Sequence, residues 1–285
     1  MTIQPECIGC IAAQSRRGCD AIHAPESLRE TITGYVDRTL QSADFTLSPP
    51  LLAAPLYEEM ARIANKEDLY DLQKRHATAQ AQAYLPLLRD AIAQSADPME
   101  ALLKTAVVGN VIDLASEVSF DLHEAIASIF DLPFAHDDSK LLRNALKDAR
   151  TLLYIGDNAG EHIFDSLAIE TLSKLYPDLR ITYMVRGNPI INDVTMKEAL
   201  EAGMEKIAAL CDSGVPTPGF AYELATPEAQ KLFDEADVVL AKGMGNYECM
   251  TPQRRKGICF LLKVKCSVVA ASLGRQIGDI VCRFD

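Results

Sequence analysis

The chain has 285 residues, 48% of them hydrophobic and 24% charged, which is enough to bury one large core or two modest ones and excludes intrinsic disorder as the main state. Its 40 acidic against 28 basic residues give a formal net charge of −12, which disfavours a broad nucleic-acid surface because such surfaces need clustered cations. No basic, apolar leader opens the sequence and no apolar run of ~18 residues occurs, so we expect a cytoplasmic protein with no membrane contact.

The first third of the chain has the apolar spacing of amphipathic helices and holds few glycines. Steps of three and four predict helices in segments 25–40, 56–64, 72–92 and 99–114. Ser48-Pro49-Pro50 breaks the pattern between the first two. Pro86 lies inside the third segment, where a proline kinks or splits a helix.

From about residue 150 short apolar runs alternate with helical patterns. Strands are predicted at 151–155, 180–185, 207–210 and 237–241, with helices at 163–175, 194–202 and 226–236 between them, and segments 258–264, 268–270 and 279–283 are candidates for further strands. Such βα alternation predicts a mostly parallel sheet with helices on both faces.

Polar loops follow the predicted strands. They read Gly156-Asp157-Asn158-Ala159-Gly160-Glu161, Arg186-Gly187-Asn188-Pro189-Ile190-Ile191-Asn192-Asp193, Asp212-Ser213-Gly214 and Lys242-Gly243-Met244-Gly245-Asn246-Tyr247-Glu248. Ligands of open α/β sheets bind beyond the carboxyl ends of the strands, so we expect these loops to share one cleft. Asp and Asn oxygens suit Mg²⁺ or Mn²⁺, and Arg186 and Lys242 can each neutralise a phosphate. Together they indicate phosphoryl chemistry.

Simpler interpretations exist for single residues. Asp157-Asn158 taken alone is typical of a helix cap, and Asp193 is typical of an N-cap. Gly243-Met244-Gly245 begins like a dinucleotide fingerprint, but Glu248 stands where its third glycine belongs. No phosphate-binding G-x-x-x-x-G-K-[ST] loop and no G-x-S-x-G elbow occur. The functional interpretation therefore rests on the convergence of acids, amides and a lysine at strand ends.

Eight cysteines in a chain without a secretion signal indicate thiols rather than a disulfide scaffold. Cys7 and Cys10 form the one C-x-x-C pair. That spacing suits a metal ion or a redox pair, and it equally suits two thiols packed at the start of a helix.

The loops at residues 156–161, 186–195 and 242–248 resemble the signatures of the damage-control phosphatase family, long catalogued as domain of unknown function number eighty-nine. Gly109-Asn110-Val111-Ile112-Asp113 is similar to a further family motif. Cys7-x-x-Cys10 and Lys263-Val264-Lys265-Cys266 resemble marks of its cysteine-bearing prokaryotic branch. These matches extend over nearly the whole chain.

The resemblance implies an N-terminal all-α helical bundle (residues 1–100) on a three-layer α/β/α domain (residues 101–285), whose mostly parallel, mixed sheet is similar to that of methyltransferases. It implies a divalent-metal-dependent phosphatase acting on small phosphorylated metabolites, with Mn²⁺, Mg²⁺, Co²⁺ or Ni²⁺ as the cofactor. One departure is Asp68-Leu69-Tyr70, where a family-like Asp-Pro-Tyr turn is expected; it bears on substrate fit or local structure.

Site roles follow from the same resemblance. Asp157, Asn158 and Asp193 resemble the metal ligands, and Asp157 or Asp193 would orient or deprotonate the attacking water. Lys242 resembles the phosphate-binding lysine that stabilises the transferring group. The substrate-binding candidates are Asn110, Asp113, Arg186, Lys242, Asn246 and Glu248. Cys7, Cys10 and Cys266 would approach one another and bind zinc or form a disulfide, or remain plain thiols.

Two rival functions stay open. A methyltransferase using S-adenosylmethionine would suit the sheet, although Asp157-Asn158 in the first loop favours a metal over a sulfonium ligand. A non-catalytic metal- or phosphometabolite-binding protein would use the same cleft. The expected partner in every case is a small molecule rather than a nucleic acid or a membrane.

Overall fold

A computed structural model describes residues 1–111, 130–250 and 255–285. Five helices form an N-terminal helical segment: α1 (Pro5–Ala21), α2 (Glu26–Leu40), α3 (Pro49–Ala64), α4 (Asp71–Gln94) and α5 (Pro98–Val111). The four predicted helices are present in the described residues, and residues 112–114 of the last prediction lie outside them. Ser48-Pro49-Pro50 opens α3 instead of only ending a helix, since proline suits the first turn. Helix α4 continues through Pro86. No described helix is both long and apolar enough to span a membrane.

Within the described residues one seven-stranded sheet follows, ordered β1-β7-β6-β5-β2-β3-β4. Its strands are β1 (His136–Asp137), β2 (Thr151–Ile155), β3 (Arg180–Val185), β4 (Ala209–Asp212), β5 (Val238–Lys242), β6 (Ile258–Lys263) and β7 (Ile280–Phe284). The helices after β1 are α6 (Ser139–Asp148), α7 (Glu161–Leu175), α8 (Met196–Glu201), α9 (Pro227–Glu235), α10 (Gly243–Met250) and α11 (Ser267–Leu273). Strand β7 runs antiparallel to β6, and the other pairings are parallel, which confirms the mostly parallel sheet.

Alternation along the strands divides the core between the two faces of the sheet. Leu152 and Tyr154 pack on one face with side chains of α5, α6 and α7, whereas Leu153 and Ile155 pack on the other with side chains of α9, α10 and α11. Both faces are covered, so a strand such as β2 is a continuous apolar run without polar alternation. A separate cluster holds α1, α2 and α3 together.

Two predicted strands match the observed ones, β2 and β3, and two others begin one or two residues later than expected. The predicted strand at 268–270 is wrong, because Val268 and its neighbours lie in α11. At the start of that helix Cys266 Sγ accepts the Val269 N–H at 3.4 Å. At its end Gly274 adopts the left-handed conformation, with φ +63°. A three-residue apolar run carries too little periodicity to separate the two structures.

Asp68-Leu69-Tyr70 forms the turn before α4 and has a structural role there. Asp68 Oδ1 accepts the Tyr70 N–H at 2.7 Å and its other oxygen pairs with Lys74 Nζ at 2.8 Å, while Leu69 is buried in the helical core. Helix α5 packs against both the sheet and α7, so the division of the chain at residue 100 stays a prediction.

Candidate active site

The loops after β2 and β3 are joined to each other through their backbones. The Ala159 N–H donates to the Asn192 carbonyl at 2.8 Å, the Val194 N–H donates to the Asp157 carbonyl at 2.9 Å, and Asn158 forms an isolated bridge with Asp193. Since β3, β2 and β5 are neighbours in the sheet, their carboxyl ends meet at one edge. The predicted convergence of Asp157, Asn158 and Asp193 is present.

The two aspartates of this set are buried and close to other charges. Asn158 Nδ2 donates to Asp157 Oδ2 at 3.0 Å and to Glu161 Oε1 at 2.8 Å. Burial, then repulsion by Glu161 and Asp193, raises the pKa of Asp157 well above its usual value. Burial raises the pKa of Asp193 to about 6 against the opposing effect of Arg186. The positive charge that the protein places near these two carboxylates therefore does not offset the cost of burying them in ionised form.

Both predicted phosphate-binding cations are fully buried and engaged by carboxylates. Arg186 Nε donates to Asp193 Oδ2 at 2.8 Å, with its Nη2 at 3.9 Å from Asp157 Oδ1. Lys242 Nζ donates to Asp165 Oδ1 at 3.0 Å and to Glu161 Oε2 at 3.2 Å. Burial disfavours the ammonium form of Lys242, but the negative charge of Asp165 stabilises it. The result is that the pKa of Lys242 is raised above its usual value.

Asp165 belongs to a polar network inside the core. The Tyr154 hydroxyl donates to Asp165 Oδ1 at 2.5 Å and the Tyr183 hydroxyl donates to Oδ2 at 2.9 Å. Sequence reasoning missed both Asp165 and the role of Glu161. The signal was their spacing, because acids four residues apart at the start of a helix lie on one face, here beside the loop that carries Asp157.

The charges of this buried set do not balance. Four carboxyl groups belong to it, those of Asp157, Glu161, Asp165 and Asp193, against the cations of Arg186 and Lys242. With these six side chains all ionised, two negative charges are in excess. Lys265 and Lys74 oppose the rise in the pKa of Asp157 and Asp193 respectively, but both pKa values stay raised in the metal-free protein. Burying uncompensated charge is costly, so the donor set fits a divalent cation. The described residues nevertheless include no group of three or more His, Cys, Asp or Glu side chains already arranged to hold a metal ion.

A cavity of about 460 Å³ opens on this edge of the sheet. The sheet side supplies Asp157, Asn158, Asp193, Glu248 and Lys265 among others. The helical segment supplies the opposite wall through residues of α1 and α3: Glu6, Cys7, Cys10, Ile11, Gln14, Pro49, Pro50 and Ala53. The cavity is therefore large enough for a small metabolite and is enclosed from two parts of the chain.

Lys265 is the one cationic side chain in the described lining of this cavity. It is exposed, and its ammonium forms no ion pair with a residue that the structure describes. Its charge acts on Asp157, where it opposes the rise in the pKa of that carboxyl. Lys242 and Arg186, by contrast, are not among the described lining residues, and their contact with substrate stays a prediction.

The remaining predicted site residues have different surroundings. Asn246 is fully buried; its Nδ2 donates to the Gly156 and Lys242 carbonyls, and its Oδ1 accepts the Phe220 N–H at 2.8 Å, so it ties three backbone segments together. Glu248 lines the cavity. Asn110 lies near the end of α5 with its side chain outside the described part of the chain, and Asp113 lies outside it altogether.

The three predicted cysteines line the same cavity. They are Cys7 and Cys10 of α1 and Cys266 before α11, and all eight cysteines are free thiols in this structure. Burial raises the pKa of both Cys7 and Cys10. Zinc binding, a disulfide and plain thiols therefore stay alternatives for this group.

Comparison with known proteins extends over the whole chain. Residues 3–281 match the family model described as "Damage-control phosphatase ARMT1-like domain". "Damage-control phosphatase PH1575" of Pyrococcus horikoshii is 30% identical, covering 99% of this chain and 98% of the relative. "Damage-control phosphatase" of Archaeoglobus fulgidus is 30% identical, covering 99% of each, and "Uncharacterized protein MJ0202" of Methanocaldococcus jannaschii is 33% identical, covering 98% and 94%.

A solved structure from the same family shares the fold of this chain. The crystal structure described as that of a DUF89 family protein from Pyrococcus horikoshii superposes with a TM-score of 0.92 at 30% identity, covering 100% of this chain and 99% of that one. Sequence and fold agree over a single continuous match. The chain therefore belongs to the damage-control phosphatase ARMT1-like family.

Proposed function

We propose that this protein is a divalent-metal-dependent phosphatase that hydrolyses small phosphorylated metabolites, including damaged ones. The observation that carries the proposal is the excess of two negative charges in the buried set around Asp157 and Asp193, beside a cavity of metabolite size. Its support from outside the site is that two relatives matching over the full chain are named damage-control phosphatases.

Asp157, Asn158 and Asp193 would hold the cation. Their oxygens are hard ligands. Asn158 Nδ2 donates to Asp157 and Glu161, whereas Asn158 Oδ1 forms no hydrogen bond with a described residue. Such a cation supplies Lewis-acid chemistry, since it neutralises phosphoryl oxygens and makes a water molecule more acidic. Asp157 or Asp193 would orient that water or take its proton.

Lys265 would bind the phosphoryl group of the substrate. Lys242 and Arg186 form ion pairs with carboxylates, whereas Lys265 lines the cavity and forms none with a described residue. Its ammonium is a point charge on a flexible side chain, so it can adjust to the position of a phosphate. Lys242 would act indirectly, by fixing Glu161 and through it Asn158. The helical segment, as a domain of residues 1–100, would cover the organic half of the substrate.

The rival functions receive less support. The first loop of a methyltransferase approaches an adenosyl group with glycine backbone, whereas here the equivalent position presents Asp157 and Asn158 to the cavity. The methyltransferase-like sheet implied by the family resemblance is thus compatible with a different chemistry. A non-catalytic binding protein would use the same residues, and turnover alone separates it from an enzyme.

Phosphate release tests the proposal directly. Protein stripped with a chelator is assayed on p-nitrophenyl phosphate and a panel of sugar phosphates, with Mg²⁺, Mn²⁺, Co²⁺ or Ni²⁺ added back singly. We expect no release without metal and restored release with at least one of them. A folded protein that releases no phosphate with any metal would sink the proposal, and tight phosphoester binding without turnover would favour the binding protein.

Gly243 provides a geometric prediction. It has φ +77°, and a Cβ at this position would overlap the Asp157 carboxylate. Gly243→Ala should therefore displace Asp157 and lower metal-restored phosphate release by about 100-fold, the loss that a displacement of ~1 Å causes at a catalytic group.

Gly274→Ala is the matched control for that variant. Gly274 has φ +63°, so alanine there carries similar backbone strain, but nothing lies within 4 Å of the added Cβ. Both variants should lose comparable stability in thermal unfolding, while phosphate release should fall for Gly243→Ala alone. An equal activity in the two variants would mean that Asp157 tolerates displacement.

A further inference from the structure

Glu248 stands apart from the buried acids at this edge of the sheet because no described residue forms a hydrogen bond or an ion pair with its side chain. Asp193 accepts a hydrogen bond from Arg186, and Glu161 accepts hydrogen bonds from Asn158 and Lys242. The Glu248 carboxyl lines the same cavity and is half-buried, yet it forms no hydrogen bond or ion pair with a residue of the described ranges.

Helix α10 connects Glu248 to the metal-binding set. The helix begins at Gly243, whose Cα lies against the Asp157 carboxylate, and Glu248 follows more than one turn later. Asn246 anchors the helix between them through its three backbone contacts. The position of Glu248 relative to Asp157 is therefore held by a rigid, buried element and is not that of a surface side chain.

The groups around Glu248 give it mixed surroundings. Its charge interacts with the thiols of Cys7 and Cys10 on α1, with the neighbouring Cys249 and with the Met1 ammonium, which donates to the Glu248 backbone carbonyl at 2.8 Å. The other titratable groups that line the cavity near it are Glu6, Lys265 and Cys266. Burial raises the pKa of Glu248 to about 7, against the ammonium, which lowers it. The carboxyl is then protonated in a large fraction of molecules near neutral pH.

The geometry of phosphoryl transfer decides what such a group can do. The attacking and leaving oxygens lie roughly in line on opposite sides of phosphorus. If the water is placed at Asp157, Asn158 and Asp193, the leaving oxygen points away from them into the rest of the cavity. Glu248 lines the same cavity and interacts electrostatically with Cys7 and Cys10 of the opposite wall, so its carboxyl can meet a leaving oxygen that extends across the cavity.

We propose, as an extension that rests on the phosphatase function, that Glu248 is the general acid that protonates the leaving group. The phosphorus–oxygen bond breaks and its electron pair stays on the leaving oxygen. The Oε–H bond of Glu248 breaks and its proton passes to that oxygen, which departs as an alcohol. The proton lost by the attacking water reaches solvent, from which the Glu248 carboxylate is protonated again.

Leaving groups of different basicity test this role. A sugar alkoxide is a strong base and needs a proton as it leaves, whereas p-nitrophenolate is a weak base and leaves without one. For Glu248→Gln with saturating metal, we expect kcat on sugar phosphates to fall by about 100-fold or more, and kcat on p-nitrophenyl phosphate to change by less than about threefold. Glu58→Gln, on an exposed face of α3, is the matched control and should leave both rates unchanged.

The pH profile of the unmodified protein is the second measurement, and it needs no variant to fold. Hydrolysis of sugar phosphates should decline above pH about 7 as Glu248 loses its proton, and hydrolysis of p-nitrophenyl phosphate should not show this limb. Equal losses on both esters in Glu248→Gln, or one pH limb shared by both esters, would overturn the acid role while leaving the phosphatase intact. Absence of phosphate release from the unmodified protein would overturn the phosphatase itself.

Discussion

Asp157→Asn is expected to abolish metal-restored phosphate release, with a loss of about 100-fold or more. The substitution keeps the shape of the side chain but removes one of the charges that would hold the cation. It also places a second amide next to Asn158, whose Nδ2 now donates to the Asp157 carboxylate at 3.0 Å. The measurement is kcat for phosphate release across a titration of the best metal, together with metal content.

The fold should survive this change. Asp157 carries an unfavourable charge in the metal-free protein, as the raised pKa of its carboxyl indicates, so its neutralisation relieves repulsion by Glu161 and Asp193. Asp212→Asn, at the carboxyl end of β4 and outside the described cavity lining, is the control for a lost charge at this edge of the sheet. Metal-restored turnover within threefold of the unmodified protein would remove Asp157 from the site.

Lys242→Met should mainly destabilise the protein. The lysine is fully buried, and removing it leaves Glu161 and Asp165 without their shared cation at 3.2 and 3.0 Å. Breaking a buried ion pair in this way costs about 3–5 kcal/mol of unfolding free energy, which corresponds to a fall in Tm of roughly 5–8 °C for a chain of this length. Thermal unfolding of the metal-free protein measures the effect without reference to activity.

Lys265→Met is the matched variant, because it removes the same ammonium from the exposed wall of the cavity. We expect little change in Tm and a rise in KM for phosphoesters of about tenfold, the value of one charge-assisted hydrogen bond. If Lys242 instead binds phosphate directly, the pattern reverses: Lys242→Met raises KM with a small change in Tm. The two variants therefore separate a positioning lysine from a substrate-binding one.

Local patterns predicted most of the helices and the central strands, because the faces that an element buries set the spacing of its apolar residues. A strand buried on both faces, such as β2, has to be a short apolar run, and an amphipathic helix such as α2 has to repeat its apolar residues every three or four positions. Parallel strands bring their carboxyl ends to one edge of the sheet, so the sequence alone predicts that Asp157, Asn158 and Asp193 lie close together.

The sequence could not supply the surroundings on which a residue's role depends. A lysine after a strand is equally consistent with a phosphate ligand and with a buried ion pair. In the structure Lys242 forms a buried ion pair with Asp165, which is far away along the chain and lies 3.0 Å from its ammonium. Asn246 has the composition of a substrate ligand, but its amide is used by the backbone of three segments.

The sequence by itself thus determined the order of helices and strands, the sheet edge at which the polar loops meet and the family that the chain resembles, because these depend on residue spacing along the chain. The tertiary structure alone decided which charges are buried, that α1 and α3 close the cavity, and that Lys265 and Glu248 line it without an ion pair to any described residue. Those properties depend on contacts between distant segments, whose burial and partners are set only when the helical segment packs against the sheet.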